Sequence, residues 1–262
     1  MLSGYIHEPG LSEIRQENCQ AHGQFESRRL FQSIWSRCPQ CNIEEERAKI
    51  IASEARAREE RSRNWRRKVE DSGIPERFRT RTLDVFQVGT EKQALAMEFA
   101  RDYADNFDDV LKSGRSALFI GPPGTGKTHL AAGIALQIMH QQNRTVLFTT
   151  VIRALRKIKN TWRRNSEETE GEVVANLVSP DLLILDEVGV QFGSDTELAL
   201  LFDVINERYE KCRPTLLISN LSREEVKRYL GERSYDRLRE GNGQVVVFEG
   251  ASYRGSAVVG SE

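Results

Sequence analysis

The chain has 262 residues, with 38 Lys plus Arg against 39 Asp plus Glu and a formal net charge of −1 at pH 7. That length suits one full-size core with a smaller companion, and the charge balance excludes a uniformly basic coat protein while leaving room for a local basic stripe. The short apolar runs, such as 117–120 and 182–185, fall far below the ~20 residues of a membrane span, and the opening residues lack a signal-peptide core, so a cytoplasmic protein is expected.

Residues 1–42 are polar, without a long periodic segment, and hold three of the four cysteines. Cys19-x2-His22 and Cys38-x2-Cys41, fifteen residues apart, have the spacing of a structural zinc site. A Zn²⁺ ion on Cys19, His22, Cys38 and Cys41 would explain how a segment so poor in apolar side chains folds at all. Cys212 stands apart. Residues 43–72 contain no Gly or Pro, nine basic and eight acidic residues, and abundant Ala, Glu and Arg, so a helix is expected. Its apolar positions, among them Ala48, Ile51, Ala55, Trp65 and Val69, are sparse, as in a helix that bridges solvent or binds a partner. Gly73-Ile74-Pro75 ends it, dividing the chain into a 1–72 N-terminal module and a 73–262 domain.

From residue 91 the expected elements alternate. They are a helix over 91–110, a strand over 116–120, a helix over 127–142, a strand over 145–149 and a helix over 150–164. A strand over 182–185, a helix over 195–211, a strand over 215–219, a helix over 222–240 and a strand over 244–248 complete the series. Short apolar strands alternating with helices predict an α/β fold, a parallel sheet covered by helices on both faces.

Between the first of these strands and its helix lies Gly121-Pro122-Pro123-Gly124-Thr125-Gly126-Lys127-Thr128, a full match to G-x4-G-K-[ST]. Glycines let successive backbone N–H groups point at phosphate oxygens, and the helix N-terminus adds a favourable dipole. Lys127 is expected on the β- and γ-phosphates of ATP and Thr128 on Mg²⁺. His129 adjoins the loop and is counted with the nucleotide-binding positions, although it shows no metal-ligand pattern, nor do His7 and His140. Four apolar residues, 182–185, then lead into Asp186 and Glu187 at the end of a strand where ligands sit in open α/β sheets. Asp186 is expected in the Mg²⁺ shell and Glu187 as the group orienting the attacking water, which implies hydrolysis. Asn220, after the strand 215–219, is placed to touch the γ-phosphate or the water. A small-molecule kinase fits less well, because Glu187 suits water activation and no acceptor lid is apparent. A non-hydrolysing adaptor is disfavoured by the intact Glu187.

In the helix over 150–164, Val151, Leu155, Ile158 and Trp162 form an apolar stripe that places Trp162 in the core. Arg153, Arg156, Lys157, Arg163 and Arg164 form a basic face suited to the phosphates of single-stranded DNA.

Together these motifs, with Ile74-Pro75-Glu76-Arg77-Phe78-Arg79 before them and the segments 231–238 and Ser252-Tyr253-Arg254 after them, resemble the AAA+ ATPases of the DnaC-type helicase loaders. The IstB-like transposition helpers are a close alternative that shares the core. The resemblance covers about 70% of the chain densely, from Ile74 to Val259. It implies an AAA+ core that self-associates through its ATP site, with Arg237 as an arginine finger for a neighbouring subunit and Arg254 as a second sensor acting in cis. It also implies an ATP-dependent loader of a hexameric replicative DNA helicase onto single-stranded DNA. The segments around His22 and Cys38 are similar to the zinc-bearing N-termini of phage-type loaders, which favours the loader over the transposase helper and gives residues 1–72 the task of gripping the helicase.

Overall fold

A computed structural model of the chain describes residues 13–190 and 194–250. The chain divides into two units, Met1–Asn64 and Trp65–Glu262. The division falls before residue 72 because Val69 is buried and Trp65 packs on the same core, so the last turns of the charged helix belong with the larger unit.

In the first unit β1 (Ile14–Cys19) and β2 (Gly23–Phe31) form an antiparallel hairpin with Cys19 opposite Gly23, and β3 (Ile34–Trp35) adds to the other edge of β2. Nothing in the hydrophobic pattern anticipates this sheet. Most of its side chains are exposed, and the residue of β2 that is fully buried is polar: Ser27, whose hydroxyl donates to the Ser36 carbonyl at 2.8 Å. Helix α1 (Pro39–Asp71) opens on a proline, which costs nothing there because the first N–H of a helix has no intrahelical acceptor.

The second unit begins with the end of α1 and two short 3-10 turns, Glu76–Phe78 and Leu83–Val85. Next come α2 (Glu91–Asp105), α3 (Phe107–Ser113), β4 (Ala117–Ile120), α4 (Lys127–Gln141), β5 (Val146–Thr150), α5 (Val151–Asn160) and α6 (Glu170–Val178). The unit continues through β6 (Leu182–Val188), α7 (Asp195–Glu210), β7 (Thr215–Ser219), α8 (Arg223–Leu230), α9 (Glu232–Arg239) and β8 (Gln244–Val247). The strands form one parallel sheet in the order β5-β6-β7-β4-β8. Alternate side chains feed opposite faces, as the period of a strand requires. Ala117, Phe119, Leu182, Ile184, Leu216 and Ile218 pack with α2 and α4, whereas Leu118, Ile120, Leu183, Leu185 and Leu217 pack with the helices from α5 to α9. Burial on both faces explains why these strands read as unbroken apolar runs. Among the described residues no helix is long and apolar enough to cross a membrane.

Three expected helices are shorter than their sequence pattern. The 91–110 helix breaks at Asn106, which leaves helical geometry at φ −102°, ψ 30° and donates from its amide to the Asp102 carboxylate at 2.9 Å. The 150–164 helix stops at Asn160, and the Thr161 hydroxyl turns back onto the Ile158 carbonyl at 2.6 Å. The 222–240 helix is two, separated by Gly231 at φ +77°, a conformation that favours glycine. Helix α6 is additional to the expected elements.

Candidate nucleotide and metal sites

Strands β4, β6 and β7 end along one edge of the sheet, with Ile120 and Val188 both paired to Ser219. Loop 121–126 leaves β4 there and turns into α4. Its path demands glycine at two points: a Cβ on Gly121 (φ +137°) would lie 2.0 Å from the Phe248 carbonyl oxygen, and one on Gly126 (φ +100°) 2.6 Å from the Phe86 ring. Lys127 is buried, with its ammonium donating to the carbonyls of Gly121 and Pro122 at 2.6 and 2.7 Å, and Thr125 closes the loop by donating to Pro122 at 2.8 Å. The ammonium therefore already lies along the curled loop, where a cation faces the phosphates of a nucleotide bound by the loop amides. Pro122 and Pro123 are exposed, and Gly124 is half-buried.

On the facing strand, Asp186 accepts from the Thr128 hydroxyl at 3.0 Å and from the Glu187 N–H at 2.7 Å. Burial pushes the Asp186 carboxyl above its usual range, opposed by these two hydrogen bonds. A hydroxyl and a carboxylate oxygen in contact at the mouth of the loop are a donor set that fits Mg²⁺, a cation that keeps several waters and takes few protein ligands. Glu187 comes next, at an irregularity in the β6–β7 register, in the left-handed region at φ +62°, and is exposed. Non-glycine residues adopt that region at a cost; here it turns the carboxylate away from the strand's alternation. Asn220 is exposed at the end of β7, next to Ser219, which is buried and donates from its hydroxyl to the Val188 carbonyl at 2.7 Å while accepting from the Leu221 N–H at 3.1 Å. The ends of β6 and β7 are thereby tied, and Asp186, Glu187 and Asn220 share one edge.

His129 sits one residue beyond the loop. Its Nε2 pairs with the Thr82 carbonyl at 3.1 Å, its ring meets Phe86 edge-on at 5.2 Å, and burial holds its pKa below the usual 6.5. The segment around 82–86 is thus part of the site's wall, a role that no motif in that segment announces.

In the first unit, the Nδ1 atom of His22 lies 3.7 Å from the Cys19 sulfur, 3.7 Å from Cys38 and 3.3 Å from Cys41, and the sulfurs of Cys19 and Cys41 are 3.4 Å apart. The four ligand atoms all fall within 4.8 Å of one another. Bond lengths of about 2.3 Å to sulfur and 2.0–2.1 Å to nitrogen give tetrahedral edges of roughly 3.5–3.8 Å, so the cluster fits Zn²⁺. The Ala21 N–H and the Cys41 thiol bring Cys19 down to about 6, while Cys41 is held up at about 11 by its bond with Cys19.

The family model described as "IstB-like ATP binding protein" matches residues 42–257. The replicative helicase loader DnaC of Escherichia coli (strain K12) is 37% identical over 212 residues, covering 81% of this chain and 84% of that protein. This chain belongs to the DnaC/IstB-like family of AAA+ ATP-binding proteins. Among solved structures, the DnaC helicase loader superimposes with a TM-score of 0.60 at 22% identity, over 67% of this chain and all of that one. A replication initiator DnaA bound to AMPPCP and single-stranded DNA gives 0.56 at 22%, over 68% of this chain and 51% of that one. These likenesses establish the AAA+ fold.

Within this DnaC/IstB-like chain the remaining expected residues are more dispersed. Arg153, Arg156 and Lys157 are exposed on α5, with Lys157 paired to Glu168 at 3.0 Å. Arg163 and Arg164 are exposed too, but in the turn after the helix has ended. Trp162 is not in the core. Because α5 stops two residues earlier, the apolar stripe does not extend to it; it is 52% exposed and its indole N–H donates to Glu170. Arg237 lies on α9, half-buried, its guanidinium 5.1 Å from the Phe202 ring and 5.4 Å from the Tyr209 ring of α7. Arg254 lies outside the described residues.

Proposed function

We propose that this protein is an ATP-hydrolysing loader of a hexameric replicative DNA helicase, acting in the cytoplasm on single-stranded DNA. The observation that carries the reading is the hydrogen bond between Thr128 and Asp186 beside Glu187, found in a chain 37% identical to a replicative helicase loader. ATP with Mg²⁺ supplies the bond to be cleaved and a cation that offsets the phosphate charge. Lys127 holds the β- and γ-phosphates, Thr128 and Asp186 hold the metal, and Glu187 orients a water for attack on the γ-phosphorus, with Asn220 beside it. Arg237 reaches the nucleotide of a neighbouring subunit, and Arg254 contacts the phosphates in cis. A planar, permanently charged fork suits the charge that spreads over the transferring group.

Zn²⁺ on Cys19, His22, Cys38 and Cys41 stabilises the N-terminal module, residues 1–72, whose task is to grip the helicase. The basic side of α5 with the turn after it, from Arg153 to Arg164, neutralises DNA phosphates. ATP turnover serves as a switch between assembly and release, so basal hydrolysis is slow.

Size-exclusion chromatography with light scattering, on this protein mixed with the replicative helicase of its host with and without ATP, tests the reading. A complex that forms with the full chain and is lost on deleting residues 1–64, which leaves Trp65 and Val69 in the core of the larger unit, is the expected result. Absence of a complex in both conditions would move the assignment to an IstB-like helper of a transposase.

A further inference from the structure

We infer that Glu44 positions His22 as a metal ligand, receiving its Nε2–H so that Nδ1 faces the three thiols. This rests on the zinc reading of Cys19, His22, Cys38 and Cys41. A neutral imidazole carries one N–H, and the nitrogen that holds the proton cannot ligate. The partner of that N–H therefore decides which face of the ring is offered to the metal. Here the Nε2 atom of His22 lies 3.0 Å from Oε1 of Glu44, and Nδ1 is the atom within 3.3–3.7 Å of the three sulfurs.

The local helix explains why this residue does the work. Cys41 and Glu44 stand three apart near the start of α1, on one face of the helix. One turn thus reaches the ring from both sides: Cys41 toward Nδ1 and Glu44 toward Nε2. The next two carboxylates along the helix are otherwise engaged, Glu45 with Lys49 and Arg37, and Glu46 with Lys49. Glu44 takes part in neither pairing. Its side chain is 65% exposed while that of His22 is 16% exposed. The carboxylate therefore stays hydrated as it holds a ring that is largely covered. The spacing of the ligands reveals none of this, since a zinc signature records only the atoms that touch the metal.

The test is zinc affinity of the full chain, measured by competition with a chromophoric chelator, for the parent and for Glu44→Ala, Glu44→Gln and Glu45→Ala. Loss of a carboxylate behind a ligating histidine typically weakens metal binding about 10–100-fold. Glu44→Ala is expected in that range. Glu44→Gln should fall between it and the parent, because the amide oxygen accepts the same hydrogen bond without the charge. Glu45→Ala should match the parent, which separates a role at the ring from a general effect of charge on the helix. Equal affinities for the parent and Glu44→Ala would overturn the role of Glu44 and leave the zinc site standing. A parent chain that takes up no zinc would remove the metal reading and this inference together.

Discussion

Glu187 holds a left-handed backbone and an exposed carboxylate at the end of β6, next to a carboxyl that is already bonded to Thr128. Asp186 and Glu187 therefore have separable tasks, and Glu187→Gln removes the charge that activates water while keeping length and shape. General-base removal typically costs 10²–10⁴-fold, so steady-state ATP hydrolysis should fall in that range while binding of a fluorescent ATP analogue changes little. Lys127→Ala should instead abolish analogue binding, and equal hydrolysis by Glu187→Gln and parent would refute the assignment. His129 is sensitive to pH for another reason. Burial lowers its pKa, with Arg81 acting in the same direction and the hydrogen bond from Nε2–H to the Thr82 carbonyl opposing them, so the folded state on balance favours the neutral ring. Its contribution to stability is complete above about 6.5 and erodes as pH falls toward the lowered value. The thermal midpoint of the parent should drop more between pH 7 and 5.5 than that of His129→Gln; parallel pH profiles would count against it.

At the scale of elements, propensity and periodicity located the strands well and the helix ends poorly. The three inner strands of the large sheet, β4, β6 and β7, are legible because burial on both faces leaves continuous apolar runs. Helix α6 was missed, because its capping box Thr169-x2-Glu172 and its apolar residues Val173, Val174, Leu177 and Val178 make a short element between two stronger signals. The end of α5 was not legible. Helical spacing carries Trp162 onto the apolar stripe, but Trp162 instead bonds to Glu170 of α6, a partner known only once the chain has folded. For the basic side of α5, Arg153 and Arg156 are the residues to reverse, because Lys157 is engaged by Glu168 and Lys159 by Glu197. Arg153→Glu with Arg156→Glu should weaken single-strand binding and lower the salt slope by roughly 0.7 per lost phosphate contact. An unchanged slope in fluorescence anisotropy would exclude this surface.

At the scale of the molecule, the two units rest on different physics. The larger unit is held by apolar side chains on both sides of its sheet and by a polar tie at the end opposite the nucleotide edge. There the fully buried Arg208 donates to the carbonyls of Leu177, Val178, Pro180 and Pro214 at 2.7–3.1 Å and to the Thr215 hydroxyl at 3.0 Å. Its place inside an otherwise amphipathic helix carries no signal in the sequence, since only the ends of α6 and the starts of β6 and β7 supply its acceptors. The proposed trans site has a test at this scale. Chains carrying Arg237→Ala and chains carrying Glu187→Gln should each hydrolyse ATP poorly. Mixing them should restore part of the activity, because one supplies the finger and the other the water-activating carboxylate. No recovery across mixing ratios would argue that Arg237 acts elsewhere.

The phosphate loop, the acidic strand end and the four-ligand cluster can all be read from the order of residues alone. Each is short-range chemistry: glycines that must curl, carboxylates that must follow an apolar run, and metal-ligating side chains in pairs three residues apart. It takes the packed chain to bring Thr128 to Asp186 across 58 residues, to set Phe86 and Thr82 as walls of the loop, to place Glu44 behind His22, and to set where α5 and α9 begin and end. Those facts depend on which distant groups the packed sheet and the cluster bring within hydrogen-bond reach, and a linear pattern holds no record of that distance.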